Sequence, residues 1–121
     1  MTDTNAVRTA VIAGPDSDGL GDALAERGLS VVRIEGLADR PALERAGIVD
    51  AELFVLTDVG QATAIPIARD LTDVEGVGEN SALRVVVYAS ASLPAFAAGQ
   101  ADLLVDPALL DPEVVAEELA G

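Results

Sequence analysis

The sequence predicts an α/β fold: a three-layer sandwich, Rossmann-like, with a five-stranded parallel sheet between helices. Three observations predict it. Short aliphatic runs alternate with helix-period segments along the whole 121-residue chain, giving the order βαβαβαβαβα. Half of the residues are hydrophobic, mostly Ala, Val, Leu and Ile, with Phe54, Tyr88 and Phe96 the only aromatics. Parallel strands buried on both faces favour such an aliphatic core. Gly, Pro and Asp then punctuate the boundaries. Right-handed crossovers leave few strand orders, and the minimal 2-1-3-4-5 order is expected. No repeat or linker interrupts the pattern, so residues 1–121 read as one domain.

The elements follow in order. Thr9–Ala13 is a buried-strand run stopped by Gly14-Pro15. Asp18–Arg27 reads as a helix with Leu20, Ala23 and Leu24 on one face; Ser17 or Asp16 caps it and Gly28 closes it. Ser30–Ile34 is the second strand. Pro41 suits the first turn of a short helix, Pro41–Ala46, with Asp39 before it and Gly47 ending it. Leu53–Leu56 is the third strand. A helix follows over Gln61–Leu71, which Pro66 shortens to Pro66–Leu71 if it is not tolerated. Thr72–Ala82, rich in Asp, Glu and Gly, reads as a surface loop. Arg84–Ala89 is the fourth strand, Leu93–Ala98 a short helix and Asp102–Val105 the fifth strand. Pro112–Leu119 is a terminal helix capped by Asp111.

Charge narrows the function. The net charge is −14, from 21 acidic residues against seven arginines and no lysine. Small domains usually carry a net charge of magnitude roughly 2–8, so self-repulsion opposes compaction at low salt. At about 1 M salt the Debye length falls to roughly 3 Å and the repulsion is screened. The lysine-free, acidic, Ala-rich profile resembles proteins of salt-accumulating halophilic archaea. Scattered arginines in an acidic chain argue against nucleic acid and against anionic membranes. The chain has no Cys and no His. Disulfides, thiolate nucleophiles, imidazole bases and His/Cys metal sites are thereby excluded. No signal peptide and no membrane-length apolar run is visible, so a cytoplasmic location is expected.

Several segments together resemble the TrkA-N (RCK N-terminal) domain, a regulatory module of potassium transporters and channels. They are Ala38-Asp39 with Pro41–Ile48, Asp50–Asp58, Gln61–Arg69, and the ends Arg84–Ala89 and Ala101–Leu110. The resemblance spans roughly residues 7–119. It implies a Rossmann-like fold, binding of NAD(H) or an adenine nucleotide, regulatory signalling and pairing into homodimers. Two departures stand out. The glycine fingerprint is broken, reading Gly14-Pro15-Asp16-Ser17-Asp18-Gly19-Leu20-Gly21, and about one αβ unit is missing after Glu35-Gly36.

The expected nucleotide contacts are Gly14, Asp16, Ser17, Glu35, Thr57 and Asp58. Gly14, Gly19 and Gly21 offer the backbone freedom that a pyrophosphate loop needs. Glu35, at the end of the second strand, has the spacing of a ribose 2′-OH acceptor. Thr57-Asp58 end the third strand, beside the crevice where α/β sheets bind ligands. Each has a structural alternative. Asp16 and Asp18 stabilise a helix N-terminus and repel a phosphate there. Glu35 alternatively sits exposed at a strand end, Asp58 caps the next helix, and Asp39 caps the Pro41 helix. Asp102 and Asp106 either pair with Arg84 or are solvated. An oxygen-only Mg²⁺ site from Asp16, Asp18 and Asp58, as in a receiver-like domain, lacks the lysine such domains carry near the last strand.

Two function classes therefore lead. One is a stand-alone nucleotide-binding regulatory module. The other is a non-catalytic structural or protein-interaction domain, with Val114, Val115 and Leu119 of the last helix either forming a dimer contact or packing on the chain's own sheet. A small enzyme is the third, resting on carboxylates, Ser, Thr or Tyr88 alone.

Overall fold

The computed structural model describes residues 8–72, 83–90 and 92–120. Five parallel strands form one sheet in the order β2-β1-β3-β4-β5. They are β1 (Thr9–Ala13), β2 (Ser30–Ile34), β3 (Leu53–Leu56), β4 (Arg84–Tyr88) and β5 (Leu103–Val105). The helices are α1 (Leu20–Glu26), α2 (Arg40–Arg45), α3 (Ala64–Thr72), α4 (Ala95–Ala98) and α5 (Pro112–Ala120). The expected fold class and strand order are those observed.

The period of two along each strand divides the core into two. Val11, Phe54, Leu56, Val85 and Val87 point to one face, where they meet Leu43 of α2, Ile65 and Ala68 of α3 and Ala97 of α4. Ala10, Ile12, Val55, Val86 and Tyr88 point to the other, onto Leu20 and Leu24 of α1 and Val115 and Leu119 of α5. Helices therefore cover both faces. The alternative that Val115 and Leu119 pack on the chain's own sheet is the observed one; Val114 is exposed.

Arginines fasten the sheet's outer parts. Arg8, just before β1, donates to the Leu119 and Ala120 carbonyls and pairs with Glu52 at 3.0 Å. Arg84 donates to the Leu119 carbonyl at 2.6 Å. Cations at a helix C-terminus satisfy its free carbonyls and its dipole. Arg69 of α3 joins Leu83, Gln100 and Asp102, holding β4 to β5. Burial pushes the Asp102 carboxyl up, but the Val85 amide and the Arg69 guanidinium outweigh it and hold it below the usual range.

Boundaries shift where caps decide them. α1 begins at Leu20, not Asp18, because Gly19 adopts the left-handed N-cap conformation. Asp39 caps α2 through the Ala42 amide, as one reading expected. Pro66 lies within the first turn of α3, where its missing N–H costs little, so the helix is neither the long nor the short form expected. Thr72 ends α3 and is buried, its hydroxyl donating to the Ala68 carbonyl, so it is not loop. The remainder of the expected 72–82 loop lies outside the described residues. Asp102 pairs with Arg69 rather than Arg84, whose guanidinium is turned to the Leu119 carbonyl.

Candidate functional site

The C-terminal ends of β1, β2 and β3 converge at the point where the strand order reverses, which is where open α/β sheets take ligands. A cleft of about 610 Å³ opens there. Gly14, Asp16, Glu35 and Asp58 line it, together with Arg33 and Gln61. Four of the six expected contacts thus share one cleft. Ser17 and Thr57 instead face a smaller depression of about 250 Å³, shared with Asp18, Asp58 and Tyr88.

Gly14 sits where the loops after β1 and β3 touch. Its φ is +106°, a conformation L side chains rarely adopt. A Cβ there would lie 2.9 Å from the Asp58 backbone nitrogen and would also strike the Thr57 hydroxyl. Thr57 closes this contact by donating to the Pro15 carbonyl at 2.5 Å, with the Ala13 carbonyl at 3.3 Å.

Asp16 is engaged inside the fold. Its carboxylate accepts from the Gly21 amide at 3.0 Å and from Arg33 at 2.9 Å. The first bond satisfies an open donor of α1, which a phosphate would otherwise use. The register Ile12↔Arg33 places this arginine beside the loop after β1. The hydrogen bond that Arg33 donates to Asp16 raises the pKa of Arg33, and Asp22 adds to it. Gly21 has no room for a Cβ because Asp16 and Arg33 lie across it. Asp16→Ala should therefore lower stability by about 1–3 kcal/mol, leaving the Gly21 amide without its partner and Arg33 with only its exposed pair to Asp22. Asp22→Ala, losing only an exposed pair, should stay within about 0.5 kcal/mol. Urea unfolding of the two variants checks this; equal losses would refute it.

The other loops behave alike. Asp58 accepts from the Gly60 amide at 2.9 Å, capping the turn Val59–Gln61. Asp106, after β5, accepts from the Ala108 amide at 2.9 Å. Gln61 accepts from the Ala38 amide at 2.6 Å and donates to the Gly36 carbonyl, pinning the loop after β2. Glu35 is exposed on the cleft rim. Among the described residues no three carboxylates gather into a metal site, and Asp16, proposed for one, faces Arg33 instead. Tyr88 is buried, its hydroxyl donating to the Leu110 carbonyl at 3.0 Å. Burial, then the charges of Asp18, Asp111 and Asp16, push that hydroxyl's pKa up.

Arg33 and Gln61 were not among the expected residues. The only signal for Arg33 is a charge inside an otherwise apolar strand. Gln61 gives none, because its partners depend on how the chain folds back.

A search of curated proteins finds no match. Among solved structures, the chain is similar to a pilus assembly-related protein from Burkholderia pseudomallei K96243 (14% identity, TM-score 0.61, 94% of this chain and 90% of that one). It is likewise similar to a pilus assembly protein (CpaE) from Burkholderia thailandensis E264 (15%, 0.61, 93% and 94%). A response regulator from Burkholderia multivorans matches at 17% identity and TM-score 0.56, over 94% and 93%. Identities this low establish a shared fold. No helix among the described residues is long and apolar enough to cross a membrane.

These findings overturn the TrkA-N resemblance. The matching family is a different one, and the neighbours are pilus-assembly and response-regulator chains. The segments that carried the resemblance encode general features of a parallel α/β fold. Asp39 and Pro41 start a helix, Gly47 ends one, and Leu53–Leu56 is a doubly buried strand. The glycine loop is braced by its own aspartate rather than left open. A family of unknown function, DUF7126, matches residues 10–119, and the chain belongs to it.

Proposed function

We propose that this chain is a non-catalytic interaction domain on a receiver-like fold, acting through a protein partner rather than through nucleotide or phosphoryl chemistry. One observation carries the reading: the carboxylates at the ends of β1, β3 and β5 each bind an amide of their own loop, Asp16 to Gly21, Asp58 to Gly60 and Asp106 to Ala108. The positions that would receive phosphate or metal are thereby engaged locally. The likeness to a response regulator supports a regulatory role. A receiver-like phosphorylation site also uses a lysine near the last strand; here Asp106 follows β5 and the chain has no lysine. Without His or Cys as well, the usual bases and nucleophiles are missing.

A nucleotide module is the second reading, favoured by the cleft. Its size falls within the roughly 300–1,000 Å³ of ligand pockets, and it holds Gly14, Asp16, Glu35 and Asp58. Its lining is acidic, with Arg33 already paired. It therefore suits a ribose or adenine better than a phosphate.

The test is a thermal-shift screen in about 2 M KCl, a concentration that screens the net charge. The ligands are NAD⁺, NADH, ATP, ADP, AMP, CTP, and Mg²⁺ with beryllofluoride as a phosphoryl mimic. No change in Tm is expected. Saturation at 100 times Kd would stabilise the fold by about 2.7 kcal/mol, a shift of several degrees. Such a shift, abolished by Glu35→Ala, would replace the interaction reading with the nucleotide one.

A further inference from the structure

Exposed apolar residues gather at one edge of the sheet. Among the described residues seven large hydrophobics are exposed, and five of them, Leu103, Leu104, Leu109, Leu110 and Val114, lie within one short stretch. Single exposed leucines are ordinary, whereas a contiguous group marks an interaction site. β5 is an edge strand paired only with β4. Leu103 and Leu104 point to its opposite faces, yet they are 40% and 58% exposed. Neither face of this strand is fully covered.

A cavity of about 350 Å³ adjoins Leu104, between the ends of β4 and β5. Val87, Ala89, Leu93 and Leu104 give it aliphatic walls, and Ser90 and Asp106 give it a polar mouth. The charged residue in its lining is acidic, Asp106. Beyond Arg84 the sequence has no basic residue, but it has Asp102, Asp106, Asp111, Glu113, Glu117 and Glu118. Among the described residues only Asp102 of these is paired with an arginine, Arg69.

We infer that the face formed by β5, residues 106–111 and the start of α5 docks a basic, aliphatic peptide segment of a partner protein. The inference deepens the interaction reading and rests on it. An apolar side chain of the partner fills the cavity beside Leu104, and flanking Arg or Lys side chains meet Asp106 and Asp111. Charge complementarity selects this occupant. A second copy brings another −14 charge and the same Asp106 and Asp111, unpaired with arginine among the described residues, so an isologous contact sets acid against acid.

The experiment is an NMR titration of the full chain, in about 1 M KCl to screen long-range attraction, with a short synthetic peptide of Leu and Arg. Two further peptides replace its Leu by Gln or its Arg by Glu. Shift changes confined to residues 87–90 and 103–114 are expected with the first peptide alone. The variant carrying Leu104→Ser and Leu109→Ser should keep its melting curve and bind at least about tenfold more weakly. Undiminished binding by that variant, equal binding of the Glu peptide, or shift changes elsewhere would overturn the proposal. So would a concentration-dependent dimer that the same substitutions abolish, which would give the face to a second copy. If no peptide binds and no nucleotide shifts Tm, this face fails while the interaction reading stands. A nucleotide-dependent shift sinks the reading itself.

Discussion

Gly14→Ala is expected to lower Tm by roughly 10 °C or more in a thermal melt. Two costs combine. Alanine in the left-handed region loses about 1–2 kcal/mol. Forcing a methyl into a packed contact adds about 1–3 kcal/mol. The second cost arises because the neighbour is backbone: the Asp58 nitrogen would stand 2.9 Å from the new carbon. The turn capped by Asp58 and the Thr57 bond to Pro15 both depend on that spacing. Gly28→Ala separates the two costs. Gly28 has a φ of +97° with nothing within 4 Å of a Cβ, so only the conformational part applies. Equal losses for the two variants would show that the β1 and β3 loops are not in contact.

Phe54→Ala should cost about 3–5 kcal/mol in urea unfolding, while Phe54→Leu should cost less than about 1.5 kcal/mol. Phe54 is fully buried on the central strand β3, in register with Val11 on one side and Val85 on the other. The surrounding side chains, Leu43, Ile48 and Ile65 among them, are aliphatic and lie on separate elements. Closing the void would require several elements to move together, and dense interiors resist this. Leucine restores most of the volume in the material from which the rest of the core is made. A loss below about 1.5 kcal/mol for the alanine variant would mean that the core collapses around the gap.

The strands were legible almost to the residue, the central ones because a strand buried on both faces must be a short continuous aliphatic run, and the half-exposed edge strand SVVRI because Gly28 and Gly36 bracket it. TAVIA, SVVRI and LFVL have the expected bounds. Helix starts were less legible, since they depend on which group reaches an open amide. Asp16, one of the two residues expected to cap α1, does reach a first-turn amide, but from five positions before Gly21 and across a left-handed glycine that moves the start to Leu20. Four of the six expected contacts share one cleft, because strand ends define the crevice in any sheet of this order. Their engagement was not legible. The partner of Asp16 is Arg33, 17 positions later, and only the β1–β2 register brings them together. The string resembling TrkA-N misled for a related reason: residues that start, stop and bury elements recur wherever the same architecture recurs. The apolar edge at Leu103–Val114 was hidden as well. Alternation reports which residues want burial, but whether anything covers an edge strand is decided by distant elements.

The bonds from Arg8 to the carbonyls of Leu119 and Ala120 carry a consequence for access to the molecule. They bring residue 8 and residue 120 side by side at the rim where the strands begin. The crevice and the mouth of the cavity near Leu104 open at the opposite rim, where the strands finish. Residues 8 and 120 therefore lie at the pole facing away from both recesses. A partner element seated against that pole leaves both recesses unobstructed.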